Sequence, residues 1–96
     1  MNTEIRIVKF AHLRDYDFDG CVDNCGGATV AYIETRQGWQ YAAAVCSPND
    51  NFNKRFGRAK AAGRLNSPQY TRTSTAESRK DFLRDLEDRY AQGILL

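Results

Sequence analysis

The stretch ATVAYIETRQGWQYAAAV, residues 28–45, decides the fold of this 96-residue chain. Its first half, Ala28 to Thr35, is rich in residues that favour strands and follows two glycines. Arg36-Gln37-Gly38 then supplies a glycine for a tight reversal, and GWQYAAAV alternates again with its large side chains on one face. The pattern predicts a β-hairpin.

The segment before the hairpin predicts another strand. From Glu4 to Leu13, apolar and polar residues alternate at first, and the alternation then slips by one residue. A β-bulge in the strand explains such a slip. The acidic segment from Asp15 to Asp23 follows, and we expect it to form a polar connection to the hairpin.

Residues 51–65, NFNKRFGRAKAAGRL, predict a first helix. Ser47-Pro48-Asn49-Asp50 should start it, with Ser or Asn as the cap and Asp50 at the positive end of the helix dipole. Positions i, i+4, i+7 and i+11 should form the stripe that faces the sheet. These positions hold Phe52, Phe56, Ala59 and Gly63.

A second helix is predicted from about Thr75 to Gln92, after a polar connection. Ser74 and Glu77 match the S-x-x-E capping box, and Gly93 should end the helix. Its apolar face consists of Phe82, Leu83, Leu86, Tyr90 and Ile94. The order β-β-β-α-α predicts an α+β domain with about three antiparallel strands and both helices packed on one face of the sheet.

Length and composition bound the class of protein. Ninety-six residues suffice for one domain, residues 1–96, and are too few for two. No apolar run approaches the ~18 residues of a membrane span, and Glu4 stands where a secretion signal would be apolar. The 3 cysteines, an odd number, argue against a secreted fold stapled by disulfides. We expect a cytoplasmic protein.

Charge is distributed unevenly along the chain. Residues 50–72 carry 6 Lys/Arg against 1 Asp/Glu, although the whole chain has a formal net charge of only +2. A field concentrated in this way raises the local density of anionic partners. The pattern predicts a contact surface for nucleic acid or for an acidic protein, and its alternative is a solvated helix face.

The acidic segment has part of the pattern of an EF-hand loop. Positions 1, 3, 5 and 9 are Asp15, Asp17, Asp19 and Asp23. Position 12, which should be a bidentate Glu, is Gly26, and the flanking segments predict strands instead of helices. A calcium site is therefore a secondary hypothesis beside a polar loop whose Asp side chains cap turns.

A zinc site is weaker still. His12, Cys21, Cys25 and Cys46 could supply a Cys₃His set, but their spacing lacks the matched pairs of most zinc sites. Cys46 ends an apolar strand, which favours a small buried side chain. No third group orients a Cys–His nucleophile. We expect no enzyme activity and no cofactor.

Aromatic residues near the basic segment have two interpretations. Trp39 and Tyr41 could stack on bases, but aromatics at strand spacing more often form the core of a small sheet. Tyr70, close to Arg72 in a polar connection, is the better candidate for contact. The predicted binding residues are Lys54, Arg55, Arg58, Lys60, Arg64, Tyr70 and Arg72.

Residues 46–65, CSPNDNFNKRFGRAKAAGRL, resemble a stretch of small proteins encoded by bacteriophages and prophages, with the pattern C-S-P-x-D-x-F-x-[KR]-x-x-G-R-x-x-A-x-G-R-L. The resemblance covers about a fifth of the chain. The size, the α+β layout and the lack of a catalytic set also look like phage anti-CRISPR proteins, which share no motif that could be carried over residue by residue.

The resemblance implies an inhibitor that works by binding in the host bacterial cytoplasm. It would occupy a type I CRISPR surveillance complex such as Cascade, on its protein subunits or guide RNA backbone, and prevent target DNA from hybridising. Because the chain is slightly basic, mimicry of DNA is disfavoured. The alternative is a small phage nucleic-acid-binding or regulatory protein that contacts free DNA or RNA, and a metal-binding accessory protein ranks last.

Overall fold

The computed structural model describes residues 7–96 and contains one antiparallel sheet of four strands in the order β1-β2-β3-β4. The elements in chain order are β1 (Lys9–Leu13), β2 (Ala28–Thr35), β3 (Gly38–Val45), α1 (Lys54–Leu65), β4 (Arg72–Ser74) and α2 (Arg79–Ala91). The α+β class is confirmed, with one strand more than expected. No helix among these residues has the length and apolarity required to cross a membrane.

The hairpin is confirmed. Strands β2 and β3 pair continuously from Ala28 opposite Val45 to Thr35 opposite Gly38, so that a two-residue turn joins them. Gly38 has a φ of +134°, and a Cβ there would collide with the carbonyl oxygen of Ser74 on β4. The glycine therefore serves both the reversal and the close approach of the fourth strand.

Strand β1 pairs with β2 residue by residue from Lys9 to Leu13, without the expected bulge in this range. Residues 4–6 of the predicted strand lie outside the described part of the chain. The short β4, from Arg72 to Ser74, pairs with β3 inside the segment that we expected to be a polar connection. Its three polar residues carry no apolar alternation, which is why the sequence does not predict it.

The two helices lie on opposite faces of the sheet, so the prediction that both pack on one face is wrong. On one face, buried residues of α1 cover the small side chains of β2 and β3. This cluster consists of Ala31, Ile33, Ala42, Ala44, Ala61 and Leu65. On the other face, Phe82 and Leu86 of α2 pack against the large side chains of the same strands. Both faces of the hairpin are apolar, and each needs its own cover.

Helix α1 is rotated relative to the prediction. Its buried residues are Gly57, Ala61 and Leu65, whereas Phe56 is 66% exposed and Ala59 and Gly63 are also exposed. The alanine-rich face of the sheet leaves room for small residues in close contact with it, and a Cβ at Gly57 would overlap the side chain of Thr29. Phe56, the aromatic residue of α1, therefore points outward.

The start of α1 also differs from the prediction. Asn53 is the N-cap, and its side-chain oxygen accepts a hydrogen bond from the Phe56 amide at 3.0 Å. The 47–50 segment precedes the helix as a turn, and the first turn of α1 contains no acidic residue. Phe52 stands just before the cap, where it is half-buried.

Helix α2 begins later than predicted. Its N-cap is Ser78, whose hydroxyl accepts from the Asp81 amide at 3.1 Å, whereas Ser74 belongs to β4 and bonds to the Ala76 amide. The Ser74 capping box is therefore wrong. Of the predicted apolar face, Phe82 and Leu86 are fully buried, and Leu83 and Tyr90 pack at the margin. Ile94 is exposed, and Leu95 takes its place in the core after the turn at Gly93.

Candidate functional site

Four exposed cations lie along α1, and we call this set the basic face. It consists of Lys54, Arg55, Arg58 and Lys60. At about 100° per residue, Lys60 lies about 160° around the helix from Arg58, so the set flanks both sides of the outward surface. Helix α1 contains no Asp or Glu, and the ion pair found among residues 7–96 joins Asp85 and Arg89 of α2. No carboxylate of the described chain therefore neutralises the basic face, which can attract an anionic partner.

Arg64, predicted as a contact residue, is only partly exposed and is held by contacts within the protein. Its Nη1 donates a hydrogen bond to the carbonyl oxygen of Ala43 at 2.9 Å, and its Cζ lies 4.7 Å from the ring centroid of Tyr70. These contacts fasten the end of α1 to β3 and cover one face of the Tyr70 ring. Both residues therefore have a structural role in this molecule.

Arg72, the remaining predicted contact residue, is exposed on β4. Its Nη1 donates to the carbonyl oxygens of Gln69 and Thr71, each at 3.2 Å. The guanidinium thus lies against its own chain segment, beyond the C-terminal end of α1. Four of the seven predicted binding residues are exposed along α1, whereas Arg64 lies in its last turn and Tyr70 and Arg72 lie beyond its end.

At β1 and just after it, the basic face continues to His12 and Arg14, which were not among the predicted binding residues. The ring of Phe52 lies between them, with its centroid 4.2 Å from the Arg14 Cζ and 5.8 Å from the centre of the His12 ring. Burial lowers the pKa of His12, and the charges of Lys54, Arg58 and Arg14 lower it further. Three cations therefore act on one imidazole.

A cleft of about 300 Å³ opens beside the basic face, between the first turns of α1 and the end of β3. Its lining combines the aromatic rings of Phe52 and Phe56 with Val45 and the ammonium-bearing side chain of Lys60. A planar apolar group could enter this cleft while its charged substituents stay near the cations. Trp39 and Tyr41, in contrast, are buried core residues and offer no ring to a base.

The carboxylates of the acidic loop serve as turn caps. Asp17 Oδ1 accepts from the amides of Asp19 and Cys21, both at 2.9 Å, and Asp23 Oδ1 accepts from the Cys25 amide at 2.9 Å. Asp15 Oδ1 instead accepts from the Tyr90 hydroxyl at 2.7 Å. The loop has the geometry of the polar connection that the sequence also allowed.

The structure does not assemble the proposed metal or nucleophile sets. Within residues 7–96, no three His, Cys, Asp or Glu side chains are placed so that they could hold one metal ion. His12 Nδ1 is hydrogen-bonded to Thr29 Oγ1 at 3.0 Å, and the Cys25 thiol donates to Asn51 Oδ1 at 3.6 Å. Neither the calcium hypothesis nor the Cys₃His zinc hypothesis gains support from this arrangement.

Tyr90 links α2 to the acidic loop and should make the fold sensitive to alkali. Its hydroxyl donates to Asp15 and accepts from the Gly27 amide at 3.0 Å, while burial, followed by the Asp15 contact, raises the pKa of Tyr90 to about 12. Because the unfolded chain ionises near 10, the Tyr90 contribution is present below pH 10 and is lost as the pH rises towards 12.

We therefore expect Tyr90→Phe to lower the melting temperature at pH 8, because it leaves the Gly27 amide without its partner. The difference from wild type should shrink between pH 10 and pH 12. Thermal melts followed by circular dichroism over this range test the expectation. A difference that stays constant to pH 12 would contradict it.

The motif at residues 46–65 is mainly a packing motif in this structure. Gly57, Ala61 and Leu65 form the buried side of α1, and Arg64 binds the carbonyl of Ala43. Lys54 and Arg58 are exposed members of the same motif. No protein-family model matches the chain, and neither a curated protein nor a solved structure matches it.

Proposed function

We propose that the protein is a phage-encoded inhibitor that acts by binding a CRISPR effector complex, with the basic face as its contact surface. The supporting observation is the set of four exposed cations on α1, which no carboxylate of the described residues neutralises. The resemblance of residues 46–65 to phage-encoded proteins adds the biological setting. The proposed partner is a guide-loaded type I surveillance complex in the host cytoplasm.

The basic face is suited to binding because α1 is fixed before any partner arrives. Close packing of Gly57, Ala61 and Leu65 on the sheet holds the helix backbone, so binding has to order only the long side chains. Arg55 and Arg58 offer guanidinium groups that pair with phosphate or carboxylate in two-pronged geometry. Binding of this kind, on guide RNA phosphates or acidic effector subunits, would block hybridisation of target DNA.

A pull-down from lysate of a bacterium that expresses type I effectors tests the proposal. The variant Arg55→Glu/Arg58→Glu/Lys60→Glu reverses the basic face, and Arg36→Glu/Lys80→Glu/Arg84→Glu makes the same change in net charge at other exposed positions. Arg64 is spared because of its internal contacts. We expect the wild type and the second variant to recover the effector complex. The first variant should recover at least tenfold less of it.

Equal recovery by the two triple variants would contradict a role for the basic face. Recovery of no effector complex by the wild type would contradict the choice of partner. Both variants should keep the wild-type melting temperature within a few degrees, since exposed substitutions usually change stability by less than about 0.5 kcal/mol. The melts exclude misfolding as the cause of lost binding.

The second candidate function is direct binding of nucleic acid, and the cleft beside Lys60 favours it because aromatic rings and cations occur together there. A salt series on free single-stranded DNA distinguishes the two candidates. Contact with several phosphates predicts that log K falls with log salt by roughly 0.7 per phosphate. An inhibitor specific to an effector should bind free DNA weakly at every salt concentration.

A further inference from the structure

The junction of β1 and α1 brings basic groups from two distant parts of the chain to one place. His12 lies opposite Thr29 in the sheet, and Thr29 is also the residue against which Gly57 of α1 packs. Lys54 and Arg58, one turn apart on α1, share the side of the helix that adjoins this point. Their charges act on His12, as the cause of its lowered pKa shows.

Arg14 has an unused hydrogen-bond donor at this junction. Its Nη2 donates to the carbonyl oxygen of Asp23 at 3.0 Å, and its guanidinium stacks on Phe52. Its Nε is buried and has no hydrogen-bond partner among residues 7–96. A buried N–H without a partner is costly, so a small movement of the Arg14 side chain that brings this group to a ligand oxygen would be stabilising.

No carboxylate of residues 7–96 forms an ion pair with this cluster. Asp15 and Glu87 line a cavity of about 430 Å³ at the β1 edge together with His12 and Arg14. However, the Asp15 carboxylate is bound by the Tyr90 hydroxyl, and Glu87 belongs to α2, which covers the opposite face of the sheet. Among residues 7–96, the charged groups that act on the His12 pKa are Lys54, Arg58 and Arg14, all of them cations.

We infer that the junction is a phosphate-binding site formed by His12, Arg14, Lys54 and Arg58. The inference deepens the proposed function, on which it rests in part because Lys54 and Arg58 also belong to the basic face. The ligand is a phosphate group, either free or in a nucleic-acid backbone. Arginine and lysine supply charge and N–H donors to its oxygens, and a protonated imidazole adds one more donor.

The ring signals of His12 can be used to monitor the site by NMR, because His12 is the only histidine of the chain and its signals need no further assignment. Its Nδ1 is engaged with Thr29, which leaves Nε2 for the ligand. A phosphate dianion beside the ring favours the imidazolium form, in opposition to the three cations. NMR titration of the His12 ring protons, in protein without a histidine tag, should therefore show a pKa about 1 unit higher in saturating inorganic phosphate than in chloride.

The chloride reference has to match the ionic strength of the phosphate buffer, because salt alone weakens the repulsion between His12 and the cations. An equal pKa in the two salts would overturn the inference. The variant Lys54→Gln/Arg58→Gln gives a second readout. It should raise the His12 pKa towards 6.5 without phosphate, since two of the three cations that repel the imidazolium are removed, and it should abolish the additional rise with phosphate.

Two arms of the experiment identify the source of the phosphate. A rise in the His12 pKa with both inorganic phosphate and a short oligothymidine supports a site for nucleic-acid backbone, and a rise with inorganic phosphate alone supports a site for free phosphate. No rise with either probe overturns the site. A phosphate response together with an empty pull-down would keep the site and reject the proposed inhibitor function.

Discussion

Phe82→Ala is expected to lower the free energy of unfolding by about 3–5 kcal/mol. Phe82 is fully buried at the centre of an aromatic cluster, with ring centroids 5.2 Å from Tyr32, 4.9 Å from Trp39 and 5.6 Å from Tyr41. Alanine would leave a cavity between α2 and the sheet, and close-packed strands cannot collapse to fill it. In a domain of this size the melting temperature should fall by at least about 12 °C.

Urea unfolding followed by tryptophan emission measures this effect, because Trp39 is the only tryptophan and its ring stacks on Phe82 with an interplanar angle of 7°. Phe18→Ala is the matched control. Phe18 lies fully exposed in the acidic loop, and its removal should change stability by less than about 0.5 kcal/mol. Similar losses in the two variants would mean that α2 does not cover the sheet as described.

Gly57→Leu is expected to lower the free energy of unfolding by about 2–3 kcal/mol, although leucine is the better helix former. A Cβ at this position would overlap Thr29, which is fully buried and hydrogen-bonded to His12. Thr29 cannot move away easily, because a β-branched side chain has few rotamers. The leucine would instead lift α1 from the sheet.

Gly63→Leu is the same substitution in the same helix, six residues further on. Nothing lies within 4 Å of a Cβ built at Gly63. Here the helix propensity should dominate, and the free energy of unfolding should rise by roughly 0.5–1 kcal/mol. Differential scanning calorimetry of the two variants compares them directly. A stabilising Gly57→Leu would show that the buried side of α1 is misplaced.

The hairpin could be predicted from sequence because its signals are local. Strand-forming residues, a two-residue turn and the required glycine are contiguous between Ala28 and Val45, and each favours the same structure. The end of α2 at Gly93 was predictable for the same reason. Local chemistry determines these features, and packing only reinforces them.

The orientation of the helices could not be predicted because residue size is a poor guide to burial in this fold. Ala42 and Ala44 make one face of the sheet shallow, so the helix that covers it must bury glycine and alanine and expose Phe56. If the largest apolar residues are assigned to the core, the predicted buried side of α1 differs from the observed one by about half a turn around the helix axis. Such an assignment also ignores that alanines at alternate strand positions form an apolar face, which a helix must cover.

The candidate site was only half predictable. The cations of α1 are visible as a charge cluster in the sequence, and all four residues of the basic face were selected from it. His12 and Arg14 precede Lys54 by about forty residues, and only the pairing of β1 with β2 brings them to the start of α1. If the register of β1 and β2 had been known, the position of His12 opposite Thr29 on one face of the sheet would have indicated that His12 and Arg14 lie near α1.

Helix α1 divides its positions between two unrelated tasks, and this has a consequence for how the protein can change over time. The glycine, alanine and leucine that face the sheet hold the helix, while Lys54, Arg55, Arg58 and Lys60 contribute little to that packing. Selection could therefore replace the outward residues one at a time, at small cost in stability. When the binding partner changes, related proteins could therefore acquire a new binding specificity on this surface and keep the same fold.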